Sequence, residues 1–118
     1  MILTQADFAN LSLLGGELQR ILRGAKVVSS EAVPADVVTM NSQVALVYES
    51  TGVRRLVTLV YPPDARASLD RISVLDPLGI ALLGARPGER VLGRLRLEKV
   101  VYQPERSLRR ELVLGAGG

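Results

Sequence analysis

The side chains of this chain that could do chemistry are carboxylates and cationic groups, because the sequence contains neither histidine nor cysteine. Histidine is the commonest metal ligand and general base near neutral pH, and cysteine supplies thiolates, disulfides and most structural zinc sites. Their absence argues against metalloenzyme and catalytic-triad chemistry and leaves only a carboxylate or lysine mechanism open. Asp64, Asp70 and Asp76 are spaced too widely for a calcium loop. The composition favours a non-catalytic protein with no metal and no cofactor.

Cationic residues are concentrated in the last third of the chain. Residues 1–85 carry seven Lys or Arg against eight acidic residues, whereas residues 86–118 carry eight against four. Such a surface can attract phosphates or an acidic protein, but the interspersed acidic residues favour a solvated sheet surface instead. A weak nucleic-acid contact is the alternative, through Arg86, Arg90, Arg94, Arg96, Lys99, Arg106, Arg109 and Arg110.

Residues 72–91 predict the element that presents the most informative carboxylate. The segment starts with apolar and polar residues in alternation, as in a half-buried strand. Asp76 then offers an N-cap oxygen, and Pro77 suits the first position of a helix. Apolar residues recur at three- and four-residue spacing beyond it, so one face of this short helix is apolar. Gly84 or Gly88 can end the helix, and the next strand begins directly afterwards.

Two short helices are predicted at the N-terminus. Thr4 and Asp7 form a capping-box-like pair for a helix over residues 4–13, and residues 17–23 have the apolar spacing of a second helix. Gly15 and Gly16 separate the two, which predicts a helical hairpin. Helices this short are unstable alone in water, so we expect them to pack against each other or against a sheet.

The remaining chain predicts one main domain of strands with an aliphatic core. Strands are expected over residues 44–48 and 54–61, joined by a turn at residues 50–52. Residues 91–102 fit either a very short hairpin around Gly93 or one bent strand. We assign residues 1–28 to a helical hairpin arm, 29–36 to a linker, 37–105 to the main domain and 106–118 to a tail.

The chain has no segment that predicts a membrane contact. Polar residues interrupt the N-terminal region, which lacks the pattern of a secretion signal, and no stretch reaches the ~20 apolar residues of a membrane span. We therefore expect a soluble, cytoplasmic protein. The tail has a helix-like spacing of apolar residues, which leaves the oligomeric state open; they are Leu108, Leu112, Val113 and Leu114.

Four segments together resemble one bacterial family. They are DVVTMNS (36–42), TLVYP (58–62), SVLDPLGIALLGARPGERV (73–91) and YQPE (102–105). In this order and at these intervals they are similar to the regulators of nucleoside diphosphate kinase (Rnk), relatives of the Gre transcript-cleavage factors. The resemblance covers residues 17–105. It implies an α+β fold in which an FKBP-like antiparallel sheet carries a short packed helix and follows a short helical hairpin.

The same resemblance implies RNA polymerase as the partner. Gre-type domains dock beside the secondary channel of the polymerase, on the rim helices of the largest subunit, through the turn that leads into the PLG helix. The matching positions here are Leu75, Asp76, Pro77, Leu78 and Gly79. Gre factors place an acidic residue just before Ser-Pro, whereas this chain has a leucine and then Asp76. An acid-dependent contact would therefore shift by one residue.

The predicted arm differs from that of the cleavage factors. Gre factors stimulate RNA cleavage because acidic residues at the tip of a long coiled coil help to hold a magnesium ion. The tip here, SLLGG at residues 12–16, has no carboxylate, and a helix of about ten residues spans only ~15 Å. We therefore expect a regulator that competes with Gre-type factors without stimulating cleavage.

Two other functions stay open at this point. One is an FKBP-like peptide-binding or prolyl-isomerase module, against which the scarcity of aromatic residues argues, because such pockets are lined by rings. The other is a basic nucleic-acid-binding domain that uses the C-terminal arginines.

Overall fold

The computed structural model describes the backbone of residues 1–116 and the side chains of residues 1–110. The strands are β1 (Ile2–Thr4), β2 (Lys26–Val28), β3 (Gln43–Tyr48), β4 (Arg54–Val60), β5 (Arg71–Ser73), β6 (Arg90–Leu92) and β7 (Leu95–Tyr102). The α-helices are α1 (Gln5–Ser12), α2 (Glu17–Leu22), α3 (Pro77–Leu82) and α4 (Pro104–Ala116), and short 3₁₀ turns lie at Ser30–Ala32, Pro62–Asp64 and Ala67–Leu69.

Five strands form the main sheet, in the order β5-β4-β3-β7-β6. The predicted α+β class is confirmed, but the expectation of a purely antiparallel sheet is wrong at one edge. There β5 runs parallel to β4, with Thr58 opposite Arg71. The reason is the connection after β4, whose two 3₁₀ turns return the chain along the sheet before β5 begins. A direct hairpin would have reversed the strand direction instead.

The two alternatives for residues 91–102 are resolved in favour of a hairpin. Strands β6 and β7 are antiparallel partners, with Leu92 opposite Leu95. Gly93 lies in the turn between them with φ 53°, a left-handed conformation that glycine adopts without strain. The long strand β7 also pairs with β3 through two register irregularities, which bend this part of the sheet.

The N-terminal hairpin forms as predicted, but it is closed by a strand pair that the sequence does not predict. Thr4 caps α1, because its hydroxyl accepts a 3.1 Å hydrogen bond from the backbone N–H of Asp7. Gly15 and Gly16 connect the helices with φ of 67° and 64°. Strands β1 and β2 then pair in parallel across the base of the hairpin. This pairing joins the two ends of the arm.

One aliphatic core unites the arm and the main sheet. Helix α3 lies against the same sheet face as the arm, and the apolar residues of both contribute to a single buried cluster. From the arm this cluster receives Leu3, Leu11, Leu18 and Leu22, and from the sheet and α3 it receives chiefly Val44, Leu46, Val57, Leu59, Leu82, Leu97 and Val100. The expectation that the short helices need a packing partner is confirmed.

The segments on either side of the main domain are ordered by contacts with it. Val33, in the expected linker, is buried, and residues 30–32 form a 3₁₀ turn. The helical spacing in the tail is confirmed by α4, although the predicted apolar residues beyond position 110 lie outside the described side chains. Within residues 1–116, none of the helices is long and apolar enough to cross a membrane.

Candidate protein-docking site

The turn between β5 and α3 is held rigidly by its own backbone and by the edge of the sheet. Ser73 accepts two hydrogen bonds there: its carbonyl from the N–H of Asp76 at 3.0 Å, and its hydroxyl from the N–H of Leu75 at 3.1 Å. Val74 is anchored to the sheet because its N–H donates to the Val60 carbonyl at 2.9 Å. The turn therefore presents its side chains on a fixed frame.

Asp76 occupies the N-cap position of α3 as predicted, but its carboxylate does not cap the helix. Its backbone is extended, with φ −71° and ψ 151°, and Pro77 follows at the start of the helix. The carboxylate makes no capping hydrogen bond. The N-cap oxygen expected from the sequence is therefore not used, and Asp76 presents an exposed negative charge at the surface.

Gly79 explains why α3 can lie so close to β5. A Cβ atom at this position would lie 2.0 Å from the carbonyl oxygen of Ser73 and 2.8 Å from its carbonyl carbon. Both are backbone atoms, so no side-chain rearrangement could make room. The absence of a side chain at Gly79 thus sets the distance between the strand and the helix, and with it the shape of the turn.

The structure separates the five predicted docking residues into two groups. Leu75, Asp76 and Pro77 lie together at the surface, and Leu75 is 45% exposed despite its apolar side chain. Leu78 is half-buried against the core, and Gly79 is buried beneath the turn. The accessible surface of the turn is therefore one leucine, one carboxylate and one proline.

The tip of the N-terminal arm has a different character. Leu13 is 85% exposed there, between α1 and the two glycines. The eight residues of α1 and the six of α2 span only about 12 Å and 9 Å at the usual helical rise. Because their buried leucines belong to the common core, the arm lies against the domain instead of projecting as a coiled coil.

The titratable groups with the clearest perturbation lie elsewhere, between the arm and the sheet. Burial raises the pKa of the Asp7 carboxyl, although the Tyr61 hydroxyl donates a 2.9 Å hydrogen bond to it. Burial, and then the neighbouring Asp7 charge, raises the pKa of Tyr61. Both shifts disfavour charge, so the pair suits a structural contact better than proton transfer near neutral pH.

Glu105 at the start of α4 completes this buried polar region. Its carboxylate accepts a 2.6 Å hydrogen bond from the Thr39 hydroxyl, which also contacts the Ser42 hydroxyl at 3.0 Å. Nearby, the Gln103 amide donates to the Val37 carbonyl at 2.7 Å. A groove of about 640 Å³ lies alongside, between α1, β2 and α4. No local sequence signal pointed to these contacts, because Thr39 and Glu105 are 66 positions apart.

The predicted C-terminal basic set does not form one continuous surface. Arg106 and Arg109 are used within the fold: Arg106 donates to the carbonyls of Ala35, Val100 and Val101, and Arg109 donates to the carbonyl of Ser30. These bonds attach α4 to the domain. Within the described part of the chain, no group of three or more acidic residues could hold a metal ion.

Comparison with known proteins gives a consistent family assignment. Residues 33–103 match the family model described as "Transcription elongation factor, GreA/GreB, C-term". The chain is 39% identical over 116 residues to the regulator of nucleoside diphosphate kinase of Escherichia coli K12, with coverage of 89% of this chain and 82% of that protein. It is also 31% identical over 75 residues to the transcription elongation factor GreA of Acidiphilium cryptum, with coverage of 64% and 48%.

The fold is shared with a solved structure of the same family. The GreA/GreB transcription elongation factor structure from Nitrosomonas europaea superposes with a TM-score of 0.76 at 34% identity. The match covers 86% of this chain and 98% of that chain. The similarity thus extends beyond the main domain into the N-terminal arm.

Proposed function

Because the chain belongs to the GreA/GreB transcription factor family and is a relative of the regulator of nucleoside diphosphate kinase, we propose that it is a non-catalytic transcription regulator that binds RNA polymerase. The observation that carries this proposal is the exposed turn of Leu75, Asp76 and Pro77 at the start of α3. A rigid turn binds with little loss of conformational entropy, and an exposed leucine beside a free carboxylate suits a protein partner with an apolar patch and a cation.

The partner surface that we propose is the rim-helix region of the largest polymerase subunit, beside the secondary channel. Asp76 would contact a cationic side chain, and Leu75 with Pro77 would cover apolar surface. Leu78 would contribute by packing the turn against the core, and Gly79 by setting the distance between α3 and β5. This assignment places the protein in the cytoplasm, where transcription takes place.

The arm supports a role without stimulation of RNA cleavage. Its tip, residues 12–16, has no carboxylate, so it offers no anionic oxygen ligand for a magnesium ion. Its helices are also too short to extend from the rim of a channel to a buried active site. We therefore propose that the protein competes with Gre-type factors by occupying the same docking position.

Direct binding to purified core RNA polymerase tests the docking assignment. We expect Asp76→Arg and Leu75→Lys each to weaken binding by about tenfold or more, because each places a positive charge opposite the cationic side chain proposed for the partner. Asp64→Arg is the matched control, since it makes the same charge change at an exposed position of another loop. Full binding by both turn variants would refute the assignment.

Two activity assays separate this proposal from its alternatives. Added to backtracked elongation complexes, the protein should displace a Gre factor without producing cleaved RNA; magnesium-dependent cleavage by the protein itself would overturn the non-catalytic role. The likeness to an FKBP-like domain stays a prediction. Isomerisation of a proline peptide would favour the peptide-binding alternative instead.

A further inference from the structure

The sheet has a second face that no helix of the described chain covers. We call it the outer face; it consists of the side chains of β3, β4 and β7 that point away from α3. The register defines its members, since Ala45 lies opposite Leu56 and Lys99. One step along the strands, Val47 lies opposite Arg54 and Arg96. The alternate residues of the same strands form the buried core on the other side.

The centre of the outer face is apolar. Leu56 is 51% exposed in the middle of β4, where a strand that faces only water commonly carries a polar residue. The half-buried Val47 and the buried Ala45 lie beside it on β3. Tyr102, 45% exposed, extends this surface at the far end of β7. An exposed leucine surrounded by charges is typical of protein-binding surfaces.

The edge of the outer face is strongly cationic. The outer face and the flanking strands and turn together carry five cations and two anions, which are Arg54, Arg71, Arg90, Arg96, Lys99, Glu49 and Glu98. Their excess equals the +3 net charge of the whole chain. The outer face therefore attracts acidic groups more strongly than the chain does on average.

The ion pairs within this surface do not neutralise all of its cationic side chains. The Glu49 carboxylate accepts hydrogen bonds from both Arg90 and Arg96, and its pKa is lowered chiefly by the hydrogen bond from Arg90. Arg90 is held at 3.1 and 2.9 Å, whereas both bonds from Arg96 are 3.3 Å long. Arg96 is thus the less tightly bound of the two. An incoming carboxylate can pair with it while Glu49 remains on Arg90.

A depression lies beside Arg96. It has a volume of about 490 Å³ and is lined by Val47, Glu49, Gly88, Arg96, Leu97 and Glu98. Val47 supplies apolar surface and Arg96 supplies donors, while the two carboxylates of the lining, Glu49 and Glu98, are each held at 2.9 Å by Arg90 and Arg54 respectively. The depression opens next to the apolar centre of the outer face.

We infer that the outer face is a second protein-binding surface, which takes an acidic segment of a partner that carries glutamate or aspartate together with aliphatic side chains. The aliphatic groups would cover Leu56 and Val47, and the carboxylates would pair with Arg96 and Lys99. A nucleic acid fits less well, because phosphate binding gains nothing from an exposed leucine and Tyr102 is the one aromatic ring assigned to this face. The surface is separate from the turn at Asp76.

Heteronuclear NMR with the full chain tests this inference directly. The probe is a synthetic peptide of about 12 residues in which glutamates alternate with leucines, and an oligothymidylate of similar length is the comparison. We expect the peptide to shift the amide resonances of Val47, Leu56 and Arg96 and to leave those of the Asp76 turn unchanged. Shifts confined to other regions, or tighter and more salt-dependent binding of the oligonucleotide, would overturn the inference.

Charge-reversal variants show whether the effect belongs to this surface. Arg96→Glu and Lys99→Glu together should weaken peptide binding by about tenfold or more. The control pairs the exposed Arg23 and Arg20 of the arm, as Arg23→Glu with Arg20→Glu, which makes the same change in net charge and should alter binding by less than about twofold. Leu56→Ser retains every charge and should still weaken binding. Equal loss in both double variants would show attraction by net charge alone and refute a defined site.

Discussion

Substitution of Gly79 by alanine gives the sharpest test of how the docking turn is built, because helix propensity and packing predict opposite signs. Alanine is the best helix former, and in an exposed helix interior the change from glycine stabilises by about 1 kcal/mol. At Gly79 the new Cβ would lie 2.0 Å from the Ser73 carbonyl oxygen, where ordinary contacts are 3.4–4 Å. The helix and β5 would have to separate by more than about 1 Å, since the opposing atom is backbone.

The cost of this separation exceeds the gain in propensity. Overpacking a close contact costs about 1–3 kcal/mol, and more where the backbone must move. Taking the upper end of this cost, about 3 kcal/mol, less the propensity gain of about 1 kcal/mol, we expect Gly79→Ala to lower the free energy of unfolding by about 2 kcal/mol and the melting temperature by roughly 8 °C. The variant should also bind the polymerase more weakly, because the turn moves with the helix.

Denaturant unfolding followed by far-ultraviolet circular dichroism measures this loss, and Gly24→Ala provides the control. A Cβ at Gly24 would meet nothing within 4 Å, and its φ lies outside the left-handed region. Gly24→Ala should therefore be neutral or stabilise by up to about 1 kcal/mol. A Gly79→Ala protein as stable as the wild type would show that the close approach of α3 to β5 does not constrain the fold.

Three further predictions follow from the polar contacts of the arm and of α4. Thr4→Ala removes the cap of α1 and should cost about 1 kcal/mol in a denaturant titration; an unchanged midpoint would contradict the capping role. Burial raises the pKa of Asp7 above 3.8 in the folded protein, so the folded state binds this proton more tightly than the unfolded state. Stability therefore falls as pH rises from the unfolded-state pKa of Asp7 through its folded-state pKa. Asp7→Asn removes this pH dependence of stability, so the free energy of unfolding of the variant should rise relative to that of the wild type between about pH 3 and pH 7. A difference that stays constant between these pH values would argue against the raised pKa. Glu105→Ala removes the 2.6 Å hydrogen bond from the buried Thr39 hydroxyl, which keeps only its contact with Ser42, and should cost about 1–3 kcal/mol in thermal unfolding. The exposed Glu98→Ala should cost less than about 1 kcal/mol, and similar losses in the two variants would show that burial at Glu105 has no effect.

Much of the fold was predictable because its signals are local. The Thr4 cap, the diglycine turn and the proline at the start of α3 are each read within a few residues, and the structure has all three. The site was predictable to the same degree: the sequence placed Asp76 at the N-cap. It did not show that the carboxylate makes no capping bond, because that depends on side-chain conformation in the finished turn.

Features that join distant parts of the chain were not predictable in this way. The β1–β2 pair consists of two three-residue strands that are too short for a periodic pattern. The parallel pairing of β5 depends on how the chain returns after β4. The outer face was likewise not apparent, since Leu56, Arg96 and Lys99 come together only when β4 and β7 flank β3.

By itself the sequence determined the local elements, the aliphatic character of the core and the absence of histidine and cysteine chemistry, since these depend on residue types and short-range spacing. Only the tertiary structure decided that the arm shares the core, that Glu105 reaches Thr39, and which charges on the sheet remain available. The physical reason is that burial and pairing energies arise between residues far apart in the chain. Their partners are set by the packing of whole elements and not by any one segment.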